Sequence, residues 1–429
     1  MRFFIVTTPG LETATIKEIE FLSRPEQPFG SLAEQVNLYM KPGFGGVDVE
    51  LALKGKPSVT DPDSEELVNS LSRRFLYLCN LWLRTASRVL QTAMSFEAQS
   101  SDELYKRAIR FPWEQLIPPE KTFVIDTTKI GLGAVNTHFL SQKLKDAVVD
   151  RVRQKTKGQR PSVKRSGADI RVHLHFLGHR ATLSLDSSGD SLNRRGYRDW
   201  AEAPIREAAA AALLFLLGYE PGSDRPLMDP MCGSGTFLWE AQLMAQNRAP
   251  GLFRLENSHS DQNIFCFQNW PGYDAALWRE IVSDAQKRIR RGRAPLGFDI
   301  RPPFDLDLHD AQFKIQKQDF FRLEGDQLKN SMGADPLLVM NPPFGERIAV
   351  KESLEEFYSK LGSHLKHHFT GWRAGVLMGD ATMTKHIGLK PSQKFKFNHG
   401  GLDGQFLIFD LYSGSRKTKL SPEENAKIV

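Results

Sequence analysis

"RPLMDPMCGSGTFLWEAQLMA", residues 225–245, passes from a short apolar strand pattern through a glycine-rich turn into an apolar helix pattern. Asp229 stands at the end of the strand, and Gly233 and Gly235 occupy the turn. Glycine reaches positive φ without a Cβ penalty and lets a ligand approach the main chain closely. A helix beginning near Thr236 offers free N–H groups in its first turn. The spacing is not G-x-G-x-x-G, and no G-K-[ST] follows, so neither of the common phosphate-cradling loops is present. A nucleoside ligand without phosphates suits such a turn, and Asp229 suits a cationic group such as an α-amine.

Downstream, short apolar strand patterns alternate with helical ones. "PLGFDI" ends near Asp299, "FKIQKQDF" near Asp319, and "DPLLVM" ends just before Asn341. "RAGVLMGD" and "GQFLIFDLY" supply later strands. This alternation predicts an α/β fold with a parallel sheet. In such sheets an acid at the second strand end takes ribose hydroxyls, typically about 20 residues after the glycine turn. Asp299 lies much farther on, which predicts an insertion at about 245–292. Asp319 is then placed for an adenine amine. Any single acid here would equally suit a helix cap or a solvated loop; the ordered set of three favours a cofactor site.

"VMNPPFGER", residues 339–347, is the second informative stretch. Two prolines in series cannot lie inside a helix or a central strand. Pro342 holds Asn341 extended, and Pro343 does the same to Pro342. The Asn341 amide oxygen is an acceptor, and Phe344 offers a flat face beside it. The set suits a planar base with an exocyclic amine, whose hydrogens are accepted while the ring stacks.

Upstream, "THFLSQKLKDAVVDRVRQK" places Leu140, Leu144, Val148 and Val152 at intervals of four, the apolar stripe of a helix. "DIRVHLHFLG" and "RATLSLDSSG" alternate as a hairpin. "LWLRTASRVLQTAMSF" fits a strand pair or a helix. The boundary between the upstream α+β region and the downstream α/β region falls near 190–205. Lys143, Lys145, Arg151, Arg153 and Lys155 make the helix face and its exit basic, and Arg194 and Arg195 follow at the junction. A solvated surface is the plain alternative. "KRIRRGR", 287–293, is a second basic run, equally suited to solvent or RNA.

The 429 residues carry a formal net charge of +6 and are 40% apolar, enough for two or three domains and a weak preference for a polyanionic partner. Three scattered cysteines share no metal-ligand spacing and suit a reducing compartment. His173 and His175 lack a third ligand at suitable spacing, so no metal is expected. The N-terminus turns polar too early for a signal peptide, and the longest apolar run, 208–219, is short of a membrane span. A cytoplasmic protein is expected.

Together, "DPMCGSGT" and "NPPFGER" resemble the S-adenosylmethionine-dependent amino-methyltransferases, whose motif is Asn/Asp-Pro-Pro-aromatic. The upstream half is similar to a THUMP domain preceded by a ferredoxin-like segment. The combination most resembles the bacterial enzymes that make N2-methylguanosine in large-subunit ribosomal RNA. The resemblance implies a Rossmann-like class I methyltransferase domain over 191–429. It implies a THUMP RNA-binding domain over 61–190 and a ferredoxin-like segment over 1–60, extending up to about 100. It puts Asp229, Gly233 and Gly235 around the methionine portion of the cofactor, Asp299 at the ribose and Asp319 near adenine. Asn341, Pro342 and Phe344 hold the target guanine, with Phe344 standing where the family often has tyrosine. The implied partner is 23S ribosomal RNA, naked or partly assembled, with no obligate protein partner. Transfer RNA is the runner-up substrate. A DNA methylase sharing the tetrapeptide is disfavoured by the RNA-type module, and an inactive RNA-binding protein by the intact glycines. Because all the cofactor residues follow residue 200, the C-terminal half alone is expected to bind S-adenosylmethionine.

Overall fold

The computed structural model describes residues 1–55, 62–131, 136–197, 205–256, 264–302, 311–342, 353–399 and 402–412. Phe344 and Pro343 lie outside the described residues, as does the "PFDLDLHD" run after Asp299. The chain divides into two compact units.

The first unit comprises residues 1–223, 239–292 and 397–400. The expected insertion thus clusters with the upstream residues. Its eight strands are β1 (Arg2–Val6), β2 (Val36–Gly43), β3 (Gly46–Leu53), β4 (Arg88–Glu97), β5 (Thr122–Ile130), β6 (Ser162–Val163), β7 (Ile170–Leu177) and β8 (Arg180–Asp186). They form one sheet in the order β2-β3-β1-β4-β8-β7-β5-β6. The expected hairpin is β7–β8, paired antiparallel from Val172↔Leu185 to Leu177↔Arg180. The ambiguous segment resolves into the end of the helix Pro62–Trp82 and the bulged strand β4.

The basic helix is Thr137–Lys155, capped by the Asn136 side chain, which accepts from the His138 N–H at 2.8 Å. Its stripe of Leu140, Leu144, Val148 and Val152 is buried, together with Ala147. It packs in one core with Trp113, Phe123, Ile170, Val172 and Leu174. Burying a stripe of this kind contributes roughly 1.5–3 kcal/mol for each large aliphatic side chain. The opposite face is therefore free to be charged.

The second unit comprises residues 224–238, 293–396 and 401–429. Its strands are β9 (Leu227–Asp229), β10 (Leu296–Asp299), β11 (Ile315–Lys317), β12 (Leu337–Met340), β13 (Arg373–Met378), β15 (Leu402–Asp410) and most of β14 (Gln393–His399), whose last residues, 397–399, cluster with the first unit. The order is β11-β10-β9-β12-β13-β15-β14. Strands β9 to β13 run parallel, and β15 is antiparallel to β13. β9 and β12 are buried along their whole length, which explains their short, unbroken apolar runs. The strand order reverses between β9 and β12, and open parallel sheets bind ligands at the carboxyl ends beside such a reversal.

Candidate functional site

Three of the sequence-predicted residues meet at that edge. Asp229 is the last residue of β9, Asp299 the last of β10, and Asn341 directly follows β12. Asp319 follows β11 by two residues. The turn after β9 has Gly233 at φ 50° and Gly235 at φ 79°, in the left-handed region that glycine alone enters freely. The Gly235 N–H donates to the Cys232 carbonyl at 2.8 Å and closes the turn. Asp299 reaches across to it: its Oδ2 accepts from the Gly233 N–H at 2.9 Å, and its Oδ1 from the Arg301 N–H at 2.8 Å.

Asp229 is 1% exposed and accepts from the Met231 N–H at 3.1 Å. Burial pushes its pKa well above the usual carboxylate range; that bond opposes the shift, and Asp299 adds repulsion. No described cation contributes to holding it down. A cationic ligand group beside Asp229 would relieve this cost, so the residues present fit a ligand bearing an ammonium group. Asp319 caps a short 3-10 helix, accepting from the Phe321 N–H at 3.0 Å. Cys232 is buried, and burial raises its thiol pKa far above a reactive range.

Asn341 carries the most telling atom. Its Oδ1 is buried and has no hydrogen-bond partner among the described residues. A buried acceptor left unpaired costs roughly 1–3 kcal/mol, so a ligand that donates to it recovers that free energy. Ser234 Oγ, in the glycine turn, is orphaned in the same way.

The basic residues separate into two groups. Lys143 and Lys145 pair with Asp102 at 3.2 Å and Asp146 at 2.9 Å, partly exposed, while Arg153 and Lys155 are exposed. With Lys106 and Arg160, Lys143, Lys145 and Arg153 line a cleft of about 870 Å³. Arg194 is exposed near Asp190. Arg151 is instead held by both oxygens of Glu114, at 2.9 and 2.8 Å. Arg195 must be withdrawn as an RNA contact. It is 2% exposed, its Nε donates to Glu240 at 3.3 Å, and its other nitrogens donate to the Leu192 and Arg84 carbonyls. A guanidinium spent on buried partners has no face for a phosphate. Lys106 was missed by sequence reasoning, since only the packing of helix Ser101–Ala108 on the basic helix brings it to the cleft.

His173 and His175 stack at 6.3 Å and share the Thr128 hydroxyl, at 3.3 and 2.8 Å; burial lowers His173 to about 4. No cluster of three metal-ligating side chains occurs among the described residues. Nor is any described helix long and apolar enough to cross a membrane.

Residues 195–408 match the model of the RMKL-like methyltransferase domain, and residues 98–186 match the THUMP domain. The chain is 35% identical over 96% of its length, and 97% of the relative's, to a Synechocystis sp. protein named "Putative RNA methyltransferase". The chain belongs to the THUMP-bearing, RMKL-like methyltransferase family. Its methyltransferase domain therefore includes the glycine turn, Asp229, Asp299 and Asn341. The chain is also 36% identical over 78% of its length to the ribosomal RNA large subunit methyltransferase K/L of Syntrophotalea carbinolica, and to that of Pseudomonas paraeruginosa. It spans about half the length of those two relatives, 48% and 46%. In fold, it matches a possible methylase from Clostridium difficile 630 with a TM-score of 0.75 at 23% identity, over 97% of this chain and 99% of that one. SMU.472, solved in complex with SAH, gives 0.73 at 23% identity, over 96% and 99%.

Proposed function

We propose that this protein transfers a methyl group from S-adenosylmethionine to the exocyclic N2 amine of a specific guanosine in 23S ribosomal RNA. The observation that carries the reading is the orphaned Asn341 Oδ1 at the end of β12, beside the strand that feeds the glycine turn. The names of the K/L relatives favour large-subunit RNA over transfer RNA.

When bound, S-adenosylmethionine supplies an electrophilic methyl group on a sulfonium. Asp229 holds its ammonium group, whose positive charge offsets the desolvation and the repulsion from Asp299 that raise the acid's pKa. Gly233 and Gly235 admit the methionine portion, Asp299 accepts from the ribose hydroxyls, and Asp319 lies toward adenine. Asn341 Oδ1 accepts one hydrogen of the guanine amine, and a main-chain carbonyl of the Asn341–Pro342 pair takes the other. Holding both hydrogens frees the nitrogen lone pair from the ring, and Phe344 stacks on the base. Alignment of amine and methyl supplies much of the rate gain. No strong base is required, because the alkylated ammonium is acidic and loses its proton to solvent.

Lys143, Lys145, Arg153 and Lys155 bind RNA phosphates, and the exposed Arg194 adds a further positive charge. Their number and exposure support contacts to backbone and shape, as suits a basic surface with few aromatic side chains. Mass mapping of modified nucleosides in cells with and without the protein tests the function. Loss of N2-methylguanosine from 23S RNA alone is the expected result. Loss from transfer RNA alone would overturn the substrate, and loss from neither would overturn the activity.

A further inference from the structure

Tyr358 carries another orphaned polar atom, its hydroxyl. Tyr358 belongs to the helix Leu354–His368, which connects β12 to the parallel strand β13. A helix joining parallel neighbours runs back along the sheet, so its first turn lies at the carboxyl edge where Asn341 sits. Tyr358 lies in the core that lines β12 and β13, which includes their last residues, Met340 and Met378, as well as Leu338 and Ala374 farther back. The carboxylate of Asp380, just past β13, is near enough to raise the phenol's pKa further after burial, to about 12.

Tyr358 is 1% exposed, and its hydroxyl has no hydrogen-bond partner among the described residues. A buried phenol normally finds a partner, and leaving it without one costs free energy that phenylalanine would avoid. In the resting chain, then, the hydroxyl is a liability. It remains a protonated donor at any physiological pH. The Asn341–Pro342 stretch, which follows β12 at that end of the sheet, has acceptors: carbonyls that its proline-bound backbone does not tie into a helix.

We propose that Tyr358 is a positioning residue for methyl transfer: its hydroxyl donates to a main-chain carbonyl of the Asn341–Pro342 pair when the target base is seated, fixing Asn341 in its amine-holding geometry. This rests on the function proposed above. Tyr358→Phe removes only the hydroxyl. Thermal stability of the free protein should stay level or rise, since no hydrogen bond among the described residues is lost. Dissociation constants for S-adenosylmethionine and RNA should stay within twofold. The single-turnover rate with both ligands saturating should fall about tenfold. A residue of merely structural importance would give the reverse pattern, a lower melting temperature with an unchanged single-turnover rate, and that result overturns the proposal. So does a full-rate Tyr358→Phe of unchanged stability. The wild-type protein run in parallel separates the two readings. If it methylates no RNA, the function fails and takes this inference with it. If it methylates 23S RNA while Tyr358→Phe keeps pace, only the inference fails.

Discussion

At the scale of single residues, the site is a set of polar atoms placed where burial makes them costly. Asn341→Ala keeps the extended bias that Pro342 imposes and removes the orphaned Oδ1. RNA and cofactor affinities should change little, while the chemical step should slow about 100-fold if the lost bond tightens as the amine becomes pyramidal. Single-turnover methylation beside separately measured dissociation constants decides this; full activity in the variant would remove Asn341 from the mechanism. Asp229 makes a prediction about pH. Its folded pKa lies above its unfolded one, so between the two values the folded chain holds the extra proton. The acid therefore contributes stability below the unfolded pKa that is lost as pH rises through the folded one. A bound ammonium group favours the ionised form, so binding releases a proton and cofactor affinity should rise with pH through the raised pKa. Asp229→Asn should bind S-adenosylmethionine at least about tenfold more weakly, as befits a lost charged hydrogen bond of roughly 1.5–3 kcal/mol. It should also melt no lower than wild type in the absence of ligand. Calorimetry in buffers of different ionisation enthalpy reads the proton directly, and a proton count of zero across that pH range would defeat the assignment.

At the scale of elements, periodicity carried most of the information. The four-residue spacing of Leu140, Leu144, Val148 and Val152 marked the helix Thr137–Lys155, and the alternation in β7 and β8 marked their hairpin. The Asp229–glycine pairing marked the turn after β9 even though that strand has only three residues, because turn chemistry is local. What could not be read was anything decided by packing between distant segments. Arg195 looks like Arg194 in the sequence, yet one is buried on Glu240 and the other is exposed. Tyr358 looks like an ordinary core aromatic. The same lesson refines the RNA test. Changing Arg151 would disturb its bidentate bond to Glu114, so it mixes stability with binding. Lys143, Lys145, Arg153 and Lys155 changed together to Gln lose weak surface pairs and the Lys143–Phe139 cation–π contact. RNA affinity should drop, and the slope of log affinity against log salt should flatten by roughly 0.7–0.9 for each phosphate no longer neutralised. Cofactor affinity should hold. An unchanged slope in filter binding over several salt concentrations would return this face to solvent.

At the scale of the whole molecule, the order of the candidate site residues and the clustering of the fold divide the chain differently. Asp229, Asp299, Asp319 and both turn glycines follow residue 200, which made the C-terminal half look like a self-sufficient cofactor domain. Yet residues 239–292 cluster with the upstream unit. Glu240 is fully buried, and its Oε1 accepts from Arg195 at 3.3 Å and Tyr197 at 2.8 Å. Arg84, also buried, lies in its field, and desolvation draws that guanidinium down to about 10. Farther along the same segment, Phe267 stacks on Tyr77 at 4.5 Å, and Trp278 meets that ring edge-on at 5.8 Å. A fragment starting at residue 200 loses Arg84, Arg195, Tyr197 and Tyr77 together. It keeps Glu240 and the exposed aromatic faces. Removing the partners of a buried charge costs roughly 3–5 kcal/mol, and a domain's whole stability is typically about 5–15 kcal/mol. With the lost aromatic burial added, fragment 200–429 should show no cooperative thermal transition and no calorimetric binding of S-adenosylmethionine. The full chain should show both. A fragment that melts cooperatively and binds with the affinity of the full chain would mean that residues 239–292 hold their fold without the upstream unit. The buried charges around Glu240 would then be incidental to the cofactor site.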